Sequence, residues 1–184
     1  MFDVDTLVAD CQAARDDREP RRAIRAVLER AVADSAAMAD ALRPAEGGLE
    51  FLHQGPDLTV IHIVWAPRMR LYPHDHRMWA AIGIYTGRED NIFWRRRAGD
   101  PGARIEAAGA KALSERDAVP LGPDVIHSVI NPVRRLTGAI HVYGGDFFAA
   151  THSQWDPERL REEPYDVKRL LALFEESNRL YASA

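Results

Sequence analysis

Between residues 58 and 143 the chain breaks into short segments rich in β-branched and aromatic side chains, separated by glycine, proline and aspartate. The first, Leu58-Thr59-Val60-Ile61-His62-Ile63-Val64-Trp65, is bounded by Gly55-Pro56 and Pro67. Others fall at 78–85, 91–96, 104–108, 118–120, 125–130 and 137–143, with a turn expected at Asp100-Pro101-Gly102. Short strands with turn residues at such regular intervals indicate an antiparallel sandwich or barrel.

Helical patterns flank this region. Residues 3–15 are expected to form a short helix, capped by Asp3 or Asp5, with Leu7, Val8, Cys11 and Ala14 on one face. A second helix is expected over 20–42, because Ile24, Val27, Leu28, Ala31, Val32, Ala36, Met38 and Leu42 recur near a 3.6-residue period. Its arginines and Glu29 occupy the other side, so it reads as an amphipathic helix docked on a sheet. A closing helix is expected over 165–180, with Val167, Leu170, Leu171, Phe174 and Leu180 apolar. The expected organisation is a helical extension over 1–46, a barrel over 47–150 and a C-terminal helical extension over 151–184, forming one domain.

Composition excludes several classes of function. With 46% hydrophobic and 28% charged residues the chain can build a substantial core. A net charge of −4 argues against binding a nucleic-acid backbone. No apolar run approaches the ~20 residues of a membrane span. A lone cysteine, Cys11, precludes an internal disulfide and fits a reducing cytoplasm, and the first residues lack the pattern of a signal peptide.

Chemistry concentrates in the histidines. In Pro73-His74-Asp75-His76, placed at the start of a strand, the two rings are expected on one face, because side chains alternate along a strand. A turn, Gly122-Pro123-Asp124, feeds a strand carrying His127 near its start. Together these three imidazoles can form one face of a metal's coordination sphere. His62 is expected to be buried and satisfied, and His53 and His152 to lie in loops. Trp65, Tyr72 and Trp79 are candidate pocket walls.

The order His-x-His, Gly87, His127 and Asn131 resembles the two motifs of the cupins, which implies a double-stranded β-helix (jelly roll) of mainly β class with helices at both ends. The glutamate usual after such a His-x-His is missing, since residues 78–84 carry no acidic side chain. Within the cupins, Trp65-Ala66-Pro67, Pro73-His74-Asp75-His76, Trp79, Ile82-Gly83 and Gly87-x-Glu89 resemble the thiol dioxygenases, cysteine dioxygenase and 3-mercaptopropionate dioxygenase. That resemblance implies an Fe(II) site at His74, His76 and His127, although imidazoles also bind Zn, Ni or Mn. It further implies O2 and a small thiol as reactants, a sulfinate as product, and catalytic roles for His141 and Tyr143, which match the family's outer-sphere His-x-Tyr.

Two positions depart from that family. Ala139 stands where it has a serine two residues before the outer-sphere histidine, which shortens the expected hydrogen-bond relay. Leu49 stands where an arginine holds the substrate carboxylate, leaving Arg68 and Arg70 as the candidate substrate-binding cations. These departures keep two other readings open: a three-His cupin acting on a non-thiol substrate, such as C–C cleavage of a diketone, and a metal-binding cupin without turnover.

Overall fold

The computed structural model describes residues 2–100 and 104–182. Three helices lead the chain: α1 (Val4–Arg15), α2 (Pro20–Ala33) and α3 (Ser35–Leu42). Asp3 caps α1, its carboxylate accepting the Thr6 N–H at 2.8 Å. The single helix expected over 20–42 is instead two. At Asp34 the backbone leaves the helical region (φ −101°, ψ 66°), and the Asp34 side chain accepts the Ala37 N–H at 3.1 Å. Such a cap contributes about 1 kcal/mol, which helps offset the interrupted helix.

Eleven strands follow: β1 (Gly48–Gln54), β2 (Thr59–Trp65), β3 (Arg70–Asp75), β4 (Ala80–Thr86), β5 (Arg88–Arg96), β6 (Ile105–Ser114), β7 (Ala118–Leu121), β8 (Ile126–Ile130), β9 (Thr137–Tyr143), β10 (Ser153–Trp155) and β11 (Glu162–Pro164). Helix α4 (Val167–Ala182) closes the described chain. One sheet has the order β1-β2-β9-β4-β7 and the other β11-β10-β3-β8-β5-β6, with antiparallel pairing throughout. The fold is thus mainly β, a double-stranded β-helix with four helices among the described residues. No described helix is long and apolar enough to cross a membrane.

Strand alternation sorts the apolar residues into two layers. Ile61, Ile63 and Trp65 of β2, Ile82 and Ile84 of β4, and Ala139 and Tyr143 of β9 join Leu71, Val129, Leu170 and Phe174 in the main core. The intervening Val60, Ala81, Tyr85, Ile140 and Val142 pack against Leu7, Cys11, Ile24, Leu28, Val32 and Met38 of the leading helices. Both faces of the central strands are therefore covered, so β2 and β9 are buried along their whole length.

Four strands differ from expectation. His74 lies at the end of β3, and His76 just beyond it, rather than both at the start of the next strand. Pro73 does not break β3, because the β3–β8 register shifts between Leu71 and His74, where the missing N–H does least harm. Strands β10 and β11 are three residues each and polar, too short for an apolar pattern to mark. β6 runs well past residue 108, since pairing with β5 overrides the helical preference of its alanines. The Pro101-Gly102 part of the expected turn lies outside the described residues.

Gly87 joins β4 to β5 with φ +81°, and a methyl group there would fall 2.2 Å from Thr137 Oγ1. Only glycine fits this turn without strain. Immediately after it, Thr137 Oγ1 accepts the Arg88 N–H at 3.0 Å, which sets where β5 begins.

Candidate metal centre

β3 and β8 pair so that His74 stands directly opposite His127. His76 follows after Asp75, whose side chain faces the other way and accepts the Ser153 N–H at 2.7 Å. Arg77 then adopts φ +52° and turns the chain away. The three rings lie with centroids 4.6–5.1 Å apart, and all are buried. His76 Nε2 is 3.2 Å from His74 Nε2 and 3.1 Å from His127 Nε2.

Hydrogen-bond partners assign two of the tautomers. His74 Nδ1 lies 3.2 Å from the Tyr72 carbonyl, which can only accept, so Nδ1 carries the proton. His127 Nδ1 lies 2.6 Å from Asn91 Oδ1. The Asn91 amide donates to Glu89 Oε1 at 2.9 Å, which orients its oxygen toward His127. Both rings therefore direct unprotonated Nε2 lone pairs at the point where His76 Nε2 also lies. Converging lone pairs repel unless a proton on His76 Nε2 or a metal cation sits among them.

Burial holds these rings neutral. It pushes His74 down to about 4, a hydrogen bond to the Tyr72 carbonyl only partly opposing it. His76 and His127 are pushed well below the ordinary imidazole value, first by burial and then by neighbouring histidines. Neutral imidazole is the form that ligates metals. Among the described residues no carboxylate or thiol joins the group. This donor set fits a divalent ion of the Fe, Zn, Ni or Mn kind.

The histidines open on a small cavity of about 30 Å³. Its other walls are Leu49, Ile61, Ile63, Trp65, Leu71, Val129, His141, Tyr143, Phe147, Phe148 and Tyr165, with Leu170 and Phe174 reaching in from α4. The Trp65 indole stacks on Phe174, centroids 5.6 Å apart. No arginine or lysine lines this chamber among the described residues. Arg68 and Arg70 are exposed and border an outer groove with Arg134 and Glu176. Neither lines the chamber: Arg70 alternates with the inward Leu71, and the register shift between Leu71 and His74 leaves it on the face opposite His74.

His141 and Tyr143 do meet the site. The Tyr143 ring packs edge-on against His76, centroids 5.0 Å apart, and its hydroxyl lies 3.2 Å from His141 Nδ1. Burial, with Tyr165 and Glu89 nearby, holds the Tyr143 hydroxyl well above its usual range, so it stays protonated. The relay expected to be shortened at Ala139 is instead completed from another strand. His141 Nε2 donates to Glu89 Oε2 at 3.2 Å, and Trp65 Nε1 donates to the same oxygen at 2.7 Å. Burial raises the Glu89 carboxyl, but His141 and the hydrogen bonds from His141, Asn91 and Trp65 outweigh it and leave a net lowering. The sequence marks Glu89 only as part of Gly87-x-Glu89 and assigns neither it nor Asn91 a role. Their signal was faint: two polar residues on the inward face of β5, between the less buried Arg88, Asp90 and Ile92.

The remaining candidates lie elsewhere. His62 faces the leading helices, with Nε2 2.8 Å from the Tyr85 hydroxyl. His53 belongs to β1 rather than a loop. His152 is buried, stacked on Phe147 and bonded through Nε2 to the Phe147 carbonyl. Tyr72 lies beneath the Arg169 guanidinium, outside the chamber.

No family model matches the chain. Solved structures it resembles include a DMSP lyase from Ruegeria pomeroyi, 15% identical over 61% of this chain and 53% of that one, TM-score 0.46. An RmlC-like cupin family protein with a double-stranded β-helix fold from Methanocaldococcus jannaschii is 14% identical over 58% of this chain and 88% of that one, TM-score 0.45. Oxalate decarboxylase from Bacillus subtilis is 13% identical over 55% of this chain, TM-score 0.43, and the match spans 26% of that protein's length.

Proposed function

We propose that this protein is a three-His metal enzyme, an Fe(II)-dependent dioxygenase that oxidises a small thiol lacking a carboxylate to its sulfinate: R–SH + O2 gives R–SO2H. The observation that carries this reading is the convergence of three neutral imidazole Nε2 atoms at one end of an otherwise apolar chamber. A divalent ion held by His74, His76 and His127 would supply Lewis acidity and one-electron chemistry, lowering the pKa of an acid that meets it. The chain's own residues do the rest. Leu49, Ile61, Leu71, Leu170 and Phe174 hold an uncharged substrate body and exclude water. Tyr143 presents a protonated hydroxyl beside His76, and His141 holds that hydroxyl in place.

The wall residues also argue about substrate class. A carboxylate-bearing thiol placed in this chamber would have its carboxylate desolvated without a cation, which costs several kcal/mol. Leu49 stands at the wall where a cation would serve such a substrate. A second reading, O2-dependent C–C cleavage of an enolised diketone, is favoured by the same apolar lining, because an enolate also binds through its acidic group alone.

Anaerobic loading with Fe(II), followed by oxygen uptake with a panel of substrates, tests both. Uptake with uncharged thiols and sulfinate as product supports the first reading. Uptake with a 1,3-diketone alone moves the assignment to the second. A preference for cysteine-like thiols, or no uptake with either class, overturns the proposal.

A further inference from the structure

A single carboxylate stands behind both halves of the site. Glu89 is fully buried, and its oxygens divide their work. Oε1 accepts the Asn91 amide, and Asn91 Oδ1 in turn accepts His127 Nδ1–H at 2.6 Å. Oε2 accepts Trp65 Nε1–H and His141 Nε2–H, and His141 Nδ1 meets the Tyr143 hydroxyl. The chain of donors has no slack. Indole nitrogen only donates, so Oε2 must accept. An amide has one donating and one accepting end, so Asn91 can show its oxygen to His127 only while Oε1 accepts from its nitrogen.

We propose that Glu89 is a positioning residue that, by accepting hydrogen bonds at both oxygens, sets the Nδ1–H tautomer of His127 through Asn91 and the placement of Tyr143 through His141. The consequence for metal binding rests on the metal reading above. The tautomer itself does not, and it can be observed in the metal-free protein.

Glu89→Gln separates this role from packing, since the side chain keeps its shape. The introduced amide must still show its oxygen to Trp65, so its NH2 faces Asn91. Asn91 then has to turn over and offer its own NH2 to His127 Nδ1. His127 is driven to the Nε2–H tautomer, which cannot ligate through Nε2. Combining Glu89→Gln with Asn91→Asp restores the order: the new amide donates to the new carboxylate, and that carboxylate accepts from His127 Nδ1–H.

The experiment is 15N NMR of the histidine rings in the metal-free protein, alongside Co(II) titration followed by absorbance. The wild type should show His127 as Nδ1–H. E89Q should show it as Nε2–H and bind Co(II) about 10–100-fold more weakly. The double exchange should return both the tautomer and the affinity. The inference is overturned if wild-type His127 is Nε2–H, if E89Q leaves the tautomer unchanged, or if the double exchange fares no better than E89Q. A wild type that binds no Co(II), but whose tautomer switches in E89Q and returns in the double exchange, upholds the positioning role and removes the metal reading. Measuring the wild type first keeps the test decisive even if E89Q folds poorly.

Discussion

The main chain at Gly144 runs directly beneath the Trp79 indole, its N–H donating to the Trp79 carbonyl at 3.0 Å. A methyl group on residue 144 would lie 2.0 Å from ring atom Cε2. Trp79 is three residues past His76, and Gly144 is the residue after Tyr143. The contact therefore ties the histidine segment to the hydroxyl that faces it. Gly144→Ala should destabilise the protein by about 1–3 kcal/mol, because a well-packed site resists added volume. Urea denaturation reads this directly, and an unchanged midpoint would show that the indole yields freely.

Tyr143→Phe keeps the ring against His76 and Phe147 but removes the hydroxyl from His141. Metal affinity should stay at the wild-type value, while turnover falls about 100-fold, because the polar oxygen that His141 holds beside His76 is lost. Steady-state kinetics on metal-loaded protein decide it. Undiminished turnover would reduce Tyr143 to a core residue.

Metal should stabilise the folded chain, because the unfolded chain has no assembled site. At a free metal concentration about 100 times Kd the gain is ~2.7 kcal/mol. Thermal melts with and without added Fe(II) or Zn(II) should show an upward shift that chelator reverses. His127→Ala should abolish the shift. A shift that survives this substitution would place the ion elsewhere.

Acid should weaken the metal-free protein in a defined window. Unfolded histidines take up protons near 6.5, whereas burial holds His74 down to about 4 in the folded state. Between those values the unfolded chain binds more protons, so stability rises with pH and is lost as pH falls from 6.5 toward 4. One such group gives a slope of ~1.4 kcal/mol per pH unit, and His76 and His127, lowered in the same direction, steepen it. Urea titrations across this range check the sign. A protein equally stable at both ends would mean that the rings charge in place.

Leu49→Arg would put a guanidinium on the chamber wall, where the described residues supply no cation. Carboxylate-bearing thiols should then bind measurably where the wild type ignores them. Spectral titration of the metal-loaded protein reads the difference, with a thermal melt to confirm that the variant folds. No gain in carboxylate binding would mean that residue 49 does not face the substrate.

Much of this architecture is written locally. Alternating apolar residues in β2 and β9, glycine and proline between strands, and the 3.6-residue pattern in α1, α2 and α4 each act within a few neighbours, so they can be read from the chain alone. His74, His76 and His127 belong to the same class, since each sits in a short recognisable segment. What joins Glu89 to His127, and Glu89 to His141, is of another kind. Those pairs are 38 and 52 residues apart in sequence, and they meet only because β5 and β8 are paired in one sheet while β9 lies across the core in the other. The cation-free chamber likewise depended on packing between distant elements, whereas the break at Asp34 follows from its own cap on Ala37. Local pattern chose the elements and the metal-binding side chains. Tertiary pairing chose which nitrogen of His127 carries a proton, because that depends on a carboxylate brought in from another strand.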